Sequence, residues 1–401
     1  MAKRKIQKPT RFERMYKVWD YLRKNTDRRH PTSIAKMRKD ENINAYIGDK
    51  ETINRLLKDM ANIMNLEDGG SDYKPEAEWR LYFDDFKKFY GDKERYERDD
   101  SDEDDSYIAN VMRIKNLYYN RTFSEKEVDS IIEGIMATRT LDSKSAQELV
   151  RKVEDNMTTV FYKRTPRHIC KVQEPELADR ELLKDNLAII QKAIDDNVRI
   201  QFRFNGYSYE KKLEPVREES DELSPYYIVA SGGKYYLLAA KEYEGYKPNM
   251  SIWRIDLMTD IEIPGRNDRL HIKGIPRIPK KNVANLPEKW SEDFQLKHLN
   301  MSFDKPVPVT LRIKSEKCED NPKKRVRPGY TFLHDWFGDS FTYIRTETKP
   351  PYDDIVRVEC SPYGMAHWAL QYSELVEVLE PESLREDIKN KIKALNEKYS
   401  L

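Results

Sequence analysis

Cysteine is nearly absent from this 401-residue chain. The three that occur, Cys170, Cys318 and Cys360, lie far apart and form no CxxC pair. That spacing argues against a disulfide framework or a structural zinc site, and it fits a reducing cytoplasm. The six histidines are scattered without metal-ligand spacing, so no metal site is expected. No stretch approaches the roughly 18 apolar residues needed to span a bilayer, so no membrane partner is expected. The opening MAKRKIQKPTRFERMYKVWDYL is basic but has no apolar run behind it, unlike a secretory signal. A P-loop, a GxGxxG turn and a nucleophile elbow are all missing. No catalytic residue and no cofactor are therefore expected, and the chain reads as a binding protein rather than an enzyme.

What is abundant is charge, at 36% of residues against 38% hydrophobic. The net charge of +1 conceals a local bias. Residues 1–60 hold 17 Lys/Arg against 8 Asp/Glu, whereas 84–106 hold 5 against 11. A basic end followed by an acidic run suggests a polyanion-binding domain tethered to something else.

Apolar periodicity divides the chain into five segments. Residues 1–83 read as three helices and a small hairpin. Phe12, Tyr16 and Trp19 mark the first helix. Thr32 is placed to cap the second, and Asp49 caps a third that carries Ile53, Leu56, Leu57, Met60 and Met64. The hairpin is expected within LEDGGSDYKPEAEWRLYF (66–83). Residues 84–180 read as a charged, then helical linker, with a capping box at Ser124 and Glu127. Residues 181–265 combine an amphipathic helix with five or six short strands, the pattern of a small barrel, with a turn at Asn205-Gly206. Residues 266–305 are a Pro/Lys-rich connection. Residues 306–401 form a compact α+β domain with a hairpin around Gly338-Asp339. The fold class expected is thus α+β and multidomain.

Three helices, a hairpin and positive charge are the ingredients of a winged helix-turn-helix for double-stranded DNA. The third helix would enter the major groove, offering Lys50, Thr52, Asn54, Arg55 and Lys58 to bases or phosphates. Arg28 and Arg29, in the turn before the second helix, are placed to meet the backbone, as is Ser33.

In LSPYYIVASGGKYYLLAA (223–240), alternation puts Tyr226 with Ile228 on one face of a strand and Tyr227 with Val229 on the other. Two apolar faces need two coverings. The next strand, SIWRIDLM, buries Arg254 between apolar neighbours, where it must pair with Asp256 or receive an anion. These stretches resemble the core of a WYL domain, with Tyr235-Tyr236-Leu237 standing for the Trp-Tyr-Leu triplet. DKETINRLLKDM (49–60) is similar to the recognition helix of winged regulators that carry such domains. PYGMAHWALQYSELVEVLEPESLREDIKNKI (362–392) is similar to their C-terminal extension. The resemblance implies a bacterial transcription regulator, a repressor by default, that binds operator DNA as a homodimer. It also implies an Sm/SH3-like barrel that senses an anionic effector, a nucleotide or single-stranded nucleic acid, and a C-terminal domain that helps dimerisation. At matching positions the ligand residues would be Ser224, Tyr226, Tyr236 and Arg254. Charge and strand position add Arg203 and Lys234.

Two other readings compete. One is an accessory nucleic-acid-binding modulator of a partner enzyme in phage defence. The other is a nuclease built on Asp339, Glu347 and Lys349, a short match that a chain this charged produces by chance.

Overall fold

The computed structural model describes residues 8–67, 74–84, 114–138, 141–163, 180–314, 317–318, 321–325 and 329–399. The acidic stretch within 85–113 and Cys170 lie outside these residues. The chain forms two compact units, Met1–Pro175 and Glu176–Leu401. Among the described residues no helix is long and apolar enough to cross a membrane.

In the first unit, α1 (Arg11–Asn25) opens with a capping box in which Thr10 and Glu13 satisfy each other's backbone amides. α2 (Ile34–Met37) is capped by Ser33 rather than by Thr32. Thr32 instead makes a two-way backbone bridge to Leu117. A short turn, α3 (Asn44–Ile47), precedes α4 (Lys50–Asn65), whose first turn is closed by the Asp49 carboxylate accepting from Thr52 N at 2.7 Å.

The hairpin expected within 66–83 falls partly on 68–73, which lie outside the described residues. β1 (Leu81–Tyr82) pairs antiparallel with the distant β2 (Tyr118–Tyr119), and Ile114 and Leu117 join Leu22, Ile47, Leu57 and Phe83 in one core. Residues 114–119 thus belong with the helices, across the boundary expected at 83. Asn65 secures the join: its amide donates to Leu81 O and its oxygen accepts from the Arg80 and Leu81 amides. α5 (Glu125–Ala137), with the Ser124–Glu127 capping box, and α6 (Ser143–Met157) form a separate small core around Val128, Ile132 and Val150.

In the second unit, α7 (Arg180–Asp196) leads into a curled half-barrel sheet. Its strands are β3 (Ile200–Tyr207), β4 (Leu213–Pro215), β5 (Asp221–Ser231), β6 (Lys234–Tyr243), β7 (Tyr246–Arg254) and β8 (Met258–Glu262), in the order β4-β3-β5-β6-β7 with β8 returning to β3. Asn205 and Gly206 continue β3 instead of turning it. A one-turn helix, Ile255–Leu257, redirects the chain from β7 to β8. The inner face packs Phe202, Leu237, Ala239 and Ile255 against α7 residues Leu183 and Ile190.

Asn186, fully buried on α7, donates to Ile255 O at 3.1 Å and Met258 O at 2.8 Å. Asn186→Ala would remove both hydrogen bonds, leaving Ile255 O with only the Met258 amide, and is expected to cost about 2 kcal/mol, measured as a lowered urea midpoint.

The C-terminal part runs β9 (Val307–Ile313), the small pair β10 (Lys317–Cys318) and β11 (Asn321–Arg325), α8 (Thr331–Phe337), β12 (Thr342–Thr346), β13 (Asp354–Cys360), α9 (Pro362–Gln371), β14 (Val376–Glu380) and α10 (Glu382–Tyr399). Gly338 and Asp339 lie in a helical turn that extends α8, not at a hairpin. The sheet order β12-β13-β9-β14, antiparallel throughout, is the split βαβ arrangement.

Candidate nucleic-acid and ligand sites

Arg28, Arg29, Lys50 and Arg55 are exposed on the first unit, with Ser33, Thr52 and Lys58 half-buried. Asn54 is the exception. It faces inward at 0% exposure beside Ile53 and Leu57, so the expected contact with a base edge does not fit this geometry. Its place was readable, since 54, 57 and 61 share one face of a helix. Thr52 and Ser33 are engaged in helix caps.

The outer face of α4 is also of mixed charge. Arg55 pairs with Glu51 at 2.7 Å, and Asp59 pairs with Arg11 of α1. Exposed pairs of this kind are worth only about 0.3–0.5 kcal/mol, so a phosphate can displace the carboxylate.

The six ligand candidates of the second unit do not converge. A β-bulge between Pro225 and Tyr227 shifts the register, so that Tyr226 and Tyr227 both pack on the outer face of the sheet. Alternation alone had put them on opposite faces. The outer covering is the connection itself. Tyr226 is buried and its hydroxyl donates to Ile278 O at 2.7 Å, while Ser224 Oγ accepts from Ile278 N at 3.0 Å. Tyr227 donates to Pro287 O and receives Lys280 Nζ at 2.8 Å. Arg277 lies over the Tyr226 ring and donates to Pro225 O. Burial raises the Tyr226 pKa and lowers that of Arg277. The stretch 276–290 is therefore a strap, and Ser224 and Tyr226 are spent holding it.

Tyr236 and Arg254 are cross-strand partners on the outer face, and Lys234 shares that face two residues from Tyr236. Ser224 is registered with Ala240, four residues along β6 from Tyr236, or about 13 Å. Arg254 is not open to an anion. Its guanidinium grips the buried Asp256 through Nε at 3.1 Å and Nη2 at 2.5 Å. Burial opposes the Arg254 charge, but the hydrogen bonds and field of Asp256 outweigh it and raise the pKa. Arg203 is exposed on β3, 3.7 Å from Asp260.

Sequence reasoning missed a second cluster. Asp221, fully buried at the start of β5, accepts Arg217 Nη2 at 2.7 Å and Lys241 Nζ at 2.8 Å beside a cleft of about 760 Å³. An acid opening a strand gives no local signal of two partners four and twenty residues away.

Of the residues of the nuclease reading, Glu347 is held by Arg312 at 2.9 Å and Asp339 stands fully exposed. No cluster of metal-ligating side chains occurs among the described residues. Cys360 is buried, which pushes its thiol up to about 12 and leaves it unreactive.

Among solved structures the chain is similar to proteasome accessory factor B/C (PafBC) of Arthrobacter aurescens, at 17% identity and a TM-score of 0.24, over 74% of this chain and 43% of that one. It thus spans less than half the length of that protein. It is also similar to a CRISPR Cas-related protein, at 13% identity and a TM-score of 0.29, over 87% of each chain. No curated protein matches. Residues 305–395 match the model of the WCX domain, an interval that opens just ahead of β9 and closes within α10.

Proposed function

We propose that the chain is a WYL-type, ligand-responsive DNA-binding regulator without enzymatic activity. The observation that carries the reading is the WCX match at 305–395, since this domain is the C-terminal extension associated with WYL domains. It follows a sheet whose meander β3-β5-β6-β7, one-turn helix and returning β8 suit an Sm/SH3-like barrel. In the first unit, α1, α2 and α4 with the β1–β2 pair suit a winged helix-turn-helix. On this reading a homodimer sets two recognition helices against operator half-sites, and an anionic effector shifts their spacing and relieves repression.

Fluorescence anisotropy on the DNA upstream of its own gene, at physiological salt, tests the reading. Specific binding by a dimer is expected. A monomeric mass with no preference over random DNA sinks it, and a preference for RNA or single strands favours an accessory nucleic-acid module. Arg28→Ala with Arg29→Ala should weaken all sequences alike and reduce the salt slope by about two, one phosphate each. Asn54→Ala should lower stability and leave base preference unchanged, in keeping with its burial.

A further inference from the structure

The cleft beside Asp221 is open and walled by large apolar side chains. It runs along β7, with Phe204 of β3 and Trp253, Ile252 and Met250 of β7 among its walls, and Tyr246 and Phe303 at its mouth. Tyr246 is 77% exposed and Phe303 is 56% exposed, so large apolar side chains stand around an open cavity. About 760 Å³ falls within the range of small-molecule sites.

Its charge is of one sign. Arg217, Lys241 and Lys247 line the cleft and no carboxylate does. The nearby Asp221 is fully buried and must serve both Arg217 and Lys241, which leaves positive charge in excess. Both cations are also positioned by rings, Arg217 over Trp253 at 5.8 Å and Lys241 over Tyr243 at 5.4 Å. Other polar capacity is largely spent. Ser251 Oγ donates to Ala239 O and accepts from Trp253 Nε1, and Asn249 Oδ1 accepts from Asn285. A ribose and a chain of phosphates would find few partners here. A flat ring with one charge would find walls for the ring and ammonium and guanidinium groups for the charge.

We propose that this cleft binds a planar aromatic compound that carries one anionic group, a carboxylate or a monophosphate, directly on its ring and not through a sugar. The site lies apart from the Tyr236–Arg254 pair, on the mouth between β7 and the β4–β5 connection. The proposal rests on the sensing half of the function above for its consequence, but not for its measurement, because binding is read without DNA.

Calorimetric titration of the full chain with 1-naphthoate, 1-naphthyl phosphate, neutral 1-naphthamide and AMP tests it. Either naphthyl anion should bind at least about tenfold more tightly than the amide, and the tighter of the two identifies the anionic group. Lys241→Gln, which leaves Arg217 to hold Asp221, and the exposed Lys247→Gln should each abolish most of that preference. Tyr246→Ala should weaken anion and amide alike. Equal binding of anion and amide, or no binding at millimolar concentration, overturns the proposal, as does AMP binding more tightly than naphthoate. Naphthoate binding by a chain that ignores operator DNA keeps the cleft and refutes the regulator. Operator binding without naphthoate binding does the reverse.

Discussion

Arg254→Ala is expected to destabilise the second unit by about 3 kcal/mol, because it strands a buried carboxylate. Asp256 is 1% exposed, and its partner is the two-pronged Arg254 guanidinium. The pair sits where β7 bends through Ile255–Leu257 into β8, the turn that brings the last strand back to β3. Asn186 holds the same turn from the helix side. An uncompensated charge there disturbs the return of β8, so the loss extends beyond one contact. Arg254→Lys should recover only part, since an ammonium cannot make the forked contact. The double variant Arg254→Ala with Asp256→Asn should recover about half, as the stranded group is then neutral. Urea unfolding followed by tryptophan fluorescence reads this, with Trp253 adjacent to the pair. An unchanged midpoint for Arg254→Ala would contradict the structural role. The result also governs any effector assay: lost response in Arg254→Ala alone reports on folding, and the double variant is the informative control.

The helices were largely legible because their signals are local. Asp49 before α4 and the Ser124–Glu127 box before α5 are short-range hydrogen-bond patterns, and both occur as read. The Gly232-Gly233 turn likewise joins β5 to β6. The turns read at Asn205-Gly206 and Gly338-Asp339 were local signals overridden by the strand and helix around them, and the other failures were non-local or involved a slip in register. Nothing around Leu81 specifies Tyr119 as its partner, because the two meet only after the intervening chain has returned. The bulge at Pro225–Tyr227 adds one residue to β5 and so reverses the face of Tyr226, an outcome that strict alternation excludes. Four tyrosines requiring a second covering was a sound physical inference from SPYY and KYYLL. The covering is the chain's own strap, whose Ile278, Lys280 and Pro287 sit in what reads as a Pro/Lys-rich linker. Proline-rich composition marked it as irregular, which it is, but irregular backbone can be firmly docked. The cleft was hidden for a related reason. Phe204, Arg217, Lys241 and Trp253 each look like ordinary strand or turn residues until the curled sheet sets them around one cavity.

Trp368→Ala should cost about 4 kcal/mol, enough to melt the C-terminal sheet and helix layer. Trp368 is fully buried on α9, among the largest side chains so enclosed. Phe337 meets it edge-on at 5.2 Å, and Phe332 and Tyr372 lie against it at 6.0 and 5.1 Å. These rings bring α8 and α9 together over the sheet formed by Val309, Leu311, Val356 and Val358. Deleting the indole would open a cavity that several elements would have to close at once, and rigid strands resist that. Trp368→Phe provides the contrast. The buried indole Nε1 has no hydrogen-bond partner, so losing that donor removes a desolvation cost while the smaller ring forfeits some contact. The two effects oppose, and a net loss of about 1 kcal/mol is expected. Thermal unfolding of the two variants should therefore separate clearly, with phenylalanine close to the parent and alanine far below it. Equal losses would mean that the indole nitrogen, rather than ring volume, holds the domain, and would contradict the packing of Phe332, Phe337 and Tyr372 on Trp368.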